Sequence, residues 1–156
     1  MRQQRWFPIA ALAVGLFAIN VVARLVTRFA FADNDAAETR TTVIMFALIG
    51  VVLAGYAFWA SHHRPASQWL APDWVTGVAA AMILTLLVGP FVSGDQPFSG
   101  GSDHFFAQIA LYAAFAGAGT LIGYWVSVAM GRDYRSRSLK AYTQTRQAKP
   151  RKVVRR

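Results

Sequence analysis

The chain has 156 residues, enough for one domain, of which 55% are hydrophobic and only 15% charged, with a mean hydropathy of +0.34. Soluble domains carry about 25% charged residues mixed with apolar ones at helical or strand period; here long apolar blocks alternate with short polar ones, which excludes that class, and the absence of cysteine excludes disulfides, thiol nucleophiles and thiolate metal sites. The net charge of +9 belongs to the C-terminus, where ten basic residues and one acid, Asp133, lie between Gly131 and Arg156; the rest of the chain is neutral.

About 20 apolar residues cross a hydrocarbon core about 30 Å thick, and four blocks satisfy this length. The first predicts a helix over 6–31. On its second half Asn20, Arg24 and Arg28 recur every four residues with Thr27 beside them, forming one polar stripe. At a rise of 1.5 Å per residue, Arg24 lies roughly 27 Å beyond Trp6. That places both arginines at the far edge of the hydrocarbon, as anchors whose heads snorkel outward, and leaves Asn20 in the core, pointing at another helix. The functional reading is an anion or lipid-headgroup site, because ionisable residues in a span are functional candidates by default. A third reading pairs the arginines with acids on the same side: Asp33, Asp35, Glu38, Asp95 and Asp103. Ala30-Phe31-Ala32 before Asp33 also fits a signal-peptide cleavage site, which would leave three helices; Arg24 and Arg28, standing between the apolar run and that site, argue against it.

The second helix is predicted over 42–60, capped by Thr41 or Thr42, with the small pair Gly50 and Ala54. A loop over 61–73 follows, carrying His62, His63 and Arg64. The histidines read as an unspecialised interfacial pair. The third helix is predicted over 74–92, with Pro72 just before it, Asp73 as its cap and Pro90 near its far end. A glycine-rich loop over 93–103 lacks the lysine and preceding strand of a phosphate loop. The fourth helix is predicted over 104–130, capped by Ser102 or Asp103.

Small residues let membrane helices approach closely. The third helix has Gly77, Ala81, Thr85 and Gly89 at four-residue spacing, and the fourth has Gly119, Gly123, Ser127 and Gly131. Two such ridges predict that the third and fourth helices pack on one another, with a homodimer interface as the alternative. Gly50 and Ala54 on the second helix form a weaker pair, and the first helix has Ala11 and Gly15.

The tail over 132–156 carries Arg132, Arg135, Arg137, Lys140, Arg146, Lys149, Arg151, Lys152, Arg155 and Arg156 and is expected to be disordered. With Arg2, Arg5 and Arg64 on the same side, and no basic residue in the third loop, the positive-inside trend puts both termini in the cytoplasm. The five tryptophans, Trp6, Trp59, Trp69, Trp74 and Trp125, fall near that same boundary. A polybasic segment beside a span is drawn to anionic lipid by about 1 kcal/mol per nearby basic residue. An acidic protein partner is the sharper reading, and nucleic acid ranks below both. The run from Gly131 to Lys140, with the closing Lys149-Pro150-Arg151-Lys152-Val153-Val154-Arg155-Arg156, is similar to the ends of uncharacterised small four-helix membrane proteins of actinobacteria. That resemblance implies no activity for any residue.

The expected fold is an all-α polytopic membrane protein of the cell membrane, with four transmembrane helices as two antiparallel hairpins over 1–131. No cofactor or metal set is expected. The expected function is a non-enzymatic accessory or structural subunit of a larger membrane assembly. The alternative is a small oligomeric transporter or channel subunit that uses the polar stripe.

Overall fold

The computed structural model describes residues 6–30, 35–94, 96 and 101–148. The described elements are helical: α1 (Trp6–Ala30), α2 (Asp35–His63), α3 (Ala66–Trp69), α4 (Thr76–Ile83), α5 (Gly89–Ser93), α6 (Gly101–Ala129) and α7 (Tyr134–Ala148). Two π-helical turns, Leu70–Val75 and Leu84–Val88, join α3 to α4 and α4 to α5 into one run. Four helical stretches are long and apolar enough to cross a membrane: α1, most of α2, the run Ala66–Val92, and α6.

Several boundaries differ from the sequence reading. α2 begins at Asp35, so Thr41 and Thr42 lie inside the helix and cap nothing. α6 begins at Gly101, which puts Ser102 and Asp103 in its first turn, where the Asp103 carboxylate faces the positive end of the helix dipole. The loop over 61–73 contracts to Arg64 and Pro65, because the third run starts at Ala66 on the extended backbone of Pro65 (φ −64°, ψ 149°). Asp73 is therefore not a cap. It sits inside the helical run, and Pro72 sits beside it.

Both prolines explain the π-turns. A helix-interior proline donates no N–H and its ring collides with the carbonyl four residues back. A locally widened turn relieves that collision and reroutes the bonds. Pro72 lies within the first π-turn and Pro90 follows the second, at the start of α5.

The small-residue ridges are both buried, but they do not meet. A β-carbon on Gly119 would overlap the backbone of Gly50, and one on Gly123 that of Ala54. The α6 ridge thus lies on α2, on the weaker small pair Gly50 and Ala54, and not on the third helix. Ala57, Ala60 and Ser127 continue the seam as buried residues. Gly77 meets Leu12 and Ile9 of α1, and Gly89 meets Asn20 and Arg24, so the third run's ridge lies on α1. Ala81 and Thr85 are buried along the same line. The third and fourth spans touch only lightly.

The reason is direction. Residue numbers rise together across the α2–α6 contact (50 with 119, 54 with 123) and across the α1–third-run contact (12 with 77, 20 with 89). Both close pairs are parallel, and helices adjacent in sequence run opposite ways. Parallel spans meeting through glycine at four-residue spacing are a known close-approach geometry, stabilised by backbone contact and not by water expulsion. Ala11 and Gly15 face outward instead, with nothing near a β-carbon on Gly15. Between the pairs, Leu16, Met45, Phe46, Ile49, Leu53 and Tyr112 fill one core, with Phe46 edge-on to Tyr112 (6.3 Å) and stacked on Phe115 (5.9 Å).

The bundle therefore has a terminal end, near Trp6, His63, Ala66 and Ala129, and a loop end, near Ala30 and Ser93. At the terminal end α6 closes with a left-handed Gly131 (φ 60°): its N–H donates to the Val128 carbonyl (2.9 Å) and that of Arg132 to Ser127 (3.0 Å). Gly131 thus ends the helix and is not a fourth member of the ridge.

The tail reading needs correction over Tyr134–Ala148, which forms α7. Arg, Leu, Lys, Ala and Gln are good helix formers. Asp133 provides the start: its Oδ2 accepts from the Ser136 N–H (3.2 Å) and its carbonyl from that of Arg137 (3.1 Å). Lys149, Arg151, Lys152, Arg155 and Arg156 lie outside the described residues, as do Asp33, Asp95 and the Ala32–Asp33 bond.

Candidate functional site

Polar groups gather at the two ends of the bundle. At the loop end, Asn20 is fully buried and points at another helix, as its position in the core required. Its Nδ2 donates to Met45 Sδ on α2 (3.1 Å), and its Oδ1 accepts from Arg24 Nε (3.2 Å). Gly89 makes this possible, because a β-carbon there would come 2.7 Å from Asn20 Oδ1 and 3.0 Å from Arg24 Nε. Arg28 extends along the same face and donates from Nη1 to the Val92 carbonyl (3.0 Å) at the end of α5. A cation at a helix C-terminus opposes the negative end of the dipole and satisfies an orphan carbonyl. The stripe is therefore a clamp on the third run as much as a row of anchors. Thr27 does not belong to it: its hydroxyl donates back to the Ala23 carbonyl of its own helix (3.1 Å).

At the terminal end, Asp73 is buried on the first π-turn and accepts from Arg64 Nη1 at 2.9 Å, across the tight Arg64–Pro65 link. Its neighbours are aromatic. Trp69 is fully buried against Ala57 and Ala60, with Tyr56 edge-on to it (6.1 Å), and Trp74 packs on the same cluster. The indole N–H groups of Trp69 and Trp74 and the Ser127 hydroxyl are buried without a hydrogen-bond partner. Sequence reasoning missed this ion pair because Pro72-Asp73 reads as a helix start. The signal that could have found it is the opposite charge of Arg64 and Asp73, the two charged side chains of that connection.

Beside that pair, α7 is held against the end of α2. His62 Nδ1 lies 2.8 Å from the Arg132 carbonyl, and Arg137 Nη1 lies 2.9 Å from His62 Nε2 and 3.3 Å from the His62 carbonyl. His62 is thus the hinge post of the tail, and not an unspecialised residue. His63 keeps to its own helix, bonded to the Trp59 carbonyl (2.8 Å) and stacked on the Trp59 ring (4.9 Å).

α7 carries Arg135, Arg137, Lys140 and Arg146 and no acid. At 100° per residue, Tyr134, Leu139 and Tyr142 share one side of the helix, and all three are exposed. The Arg146 guanidinium lies 5.4 Å from the Tyr142 ring centre, within cation–π range. The Asp133 carboxyl at its start is held below its ordinary range, chiefly by the Ser136 hydroxyl hydrogen bond, against a smaller opposing effect of burial. Among the described residues no three His, Asp or Glu side chains come together.

No protein-family model, no curated protein and no solved structure matches this chain.

Proposed function

We propose that the protein is a non-enzymatic accessory subunit of a larger assembly in the cell membrane, with both termini in the cytoplasm and α7 as its contact element. The observation that carries this reading is the basic, acid-free helix α7, fastened through Arg137 to His62 at the terminal end of the bundle. A fastened helix offers its cations in a fixed direction, with less conformational entropy left to lose on binding than a free chain has. Cytoplasmic orientation is supported by Arg64, Arg132, Arg135, Arg137 and Lys140 at the terminal end, and by Arg2 and Arg5 preceding α1 in the sequence. The exposed Tyr134, Leu139 and Tyr142 beside arginines are the composition of a helix lying in a headgroup layer, so anionic lipid is the first contact and an acidic partner protein the second.

The test is mild-detergent purification of the full chain and of a chain truncated after Gly131, with mass spectrometry of what accompanies each. A partner present with the full chain and lost on truncation supports the reading. A protein that purifies alone in both forms overturns the subunit role. Sedimentation with phosphatidylglycerol vesicles across a salt series separates the lipid contribution, which falls as salt rises.

One observation favours a second reading, a small transporter or channel subunit. Asn20 and Arg24 face a span that widens at the second π-turn, and irregular helices with buried polar groups line pathways in transporters. Flux in proteoliposomes that Arg24→Ala abolishes, with the fold intact, would favour it over the accessory role.

A further inference from the structure

His62 has two hydrogen bonds that constrain its proton. The Arg132 carbonyl can only accept, so Nδ1 must carry the hydrogen. Arg137 Nη1 can only donate, so Nε2 must offer its lone pair. Only the neutral Nδ1–H tautomer satisfies both. A second proton would sit on Nε2 and point at the guanidinium 2.9 Å away, setting donor against donor and cation against cation.

No carboxylate is hydrogen-bonded to the His62 ring, whose two nitrogens are taken by the Arg132 carbonyl and the Arg137 guanidinium. On α2 the neighbour is His63, with ring centres 5.0 Å apart and edge-on. Arg64 and Asp73, from the start of the third run, are committed to one another. From the tail come Arg132 and Arg137, and one acid, Asp133, whose Oδ2 is engaged as the α7 cap and whose Oδ1 is buried without a partner; neither oxygen is bonded to His62. Arg137 keeps a longer bond to the His62 carbonyl (3.3 Å), too little to hold a repelled helix alone. Imidazole changes charge between about pH 5 and 8.

We propose that His62 is a proton-operated latch on α7: neutral, it docks the basic helix against the end of α2, and protonated, it releases it. This deepens the proposed function, in which α7 is the contact element, by giving that element a regulated position. The latch itself rests only on the hydrogen-bond geometry.

The chain has no cysteine, so spin labels can be placed without background at Gln144→Cys on α7 and Gln68→Cys on α3, both exposed. The full chain is reconstituted in phosphatidylcholine nanodiscs and the label distance distribution measured at pH 8 and pH 5.5. The expected result is one narrow distance at pH 8 and a several-fold loss of that population at pH 5.5. Arg137→Gln should show the released distribution at both pH values. His62→Gln should lose the pH response, and His63→Gln should keep it. An unchanged distribution between the two pH values in the unsubstituted chain overturns the latch, as does a pH response that survives His62→Gln. Because phosphatidylcholine offers no anionic surface, these results stand apart from whether α7 binds lipid or partner. A parallel arm in phosphatidylglycerol discs tests that contact and can fail without touching the latch.

Discussion

At the residue scale, the Arg64–Asp73 pair is asymmetric. Asp73 is almost entirely buried, whereas about 43% of the Arg64 side chain is exposed. If Asp73 loses its charge, Arg64 can turn to water or headgroups. If Arg64 is removed, the carboxylate stays buried without a partner, the costly case for any buried ion. Breaking a fully buried pair costs about 3–5 kcal/mol; with one partner half in solvent, about 1–3 is expected for Arg64→Ala. Asp73→Asn should cost less, since an amide still accepts from the guanidinium. Unfolding titrations from mixed micelles into sodium dodecyl sulfate measure both. A larger loss for Asp73→Asn would mean that the carboxylate does something other than balance Arg64. The ion pair was not legible in the sequence because Asp73 reads there as a cap. Proline followed by aspartate is the composition of a helix start, and nothing in one dimension reveals that a π-turn lets the helix run through both.

At the scale of elements, α7 depends on its first turn. Asp133→Ala removes the cap and should cost about 0.5–2 kcal/mol of local helix stability, seen as faster amide exchange at Ser136 and Arg137 than at the middle of α6. The pH dependence follows from the direction of the shift. The Asp133 carboxyl titrates lower in the folded chain than in the unfolded one, held there by Ser136. Its contribution is therefore complete above the ordinary carboxylate range and is lost as pH falls through the depressed value. Fraying of α7 at its start should appear only in that acidic window, and Asp133→Asn should abolish it. The helix itself was concealed by its composition, since the run of cations suggests a disordered tail while the helix-forming residues and the aspartate cap point the other way. The four spans were legible because length and apolar content decide them. The ridges were legible as faces, since spacing alone puts Gly119 beside Gly123 and Gly77 beside Ala81. Their partners were not, because a face carries no address.

At the scale of the whole molecule, the bundle consists of two parallel pairs, α1 with the third run and α2 with α6, joined by the shared core around Leu16, Met45 and Phe46. This arrangement makes a prediction opposite to that of ridges interlocked between the third and fourth spans. Gly123 abuts the backbone of Ala54, which cannot move aside without separating the helices, and Gly77 abuts the flexible end of Leu12 (2.8 Å from a β-carbon). Overpacking costs typically about 1–3 kcal/mol, so Gly123→Leu should lie at or above the top of that range and Gly77→Leu lower in it. The two positions share no contact partner, and substitutions without shared partners add within about 0.5 kcal/mol. The double variant Gly77→Leu/Gly123→Leu should therefore lose the sum of the two single losses. Were both glycines in one seam, the first leucine would already have parted the helices and the second would add little. A sodium dodecyl sulfate unfolding cycle on the wild type, both single variants and the double distinguishes these cases: a coupling above about 1 kcal/mol would reinstate the third–fourth seam and refute the parallel pairing.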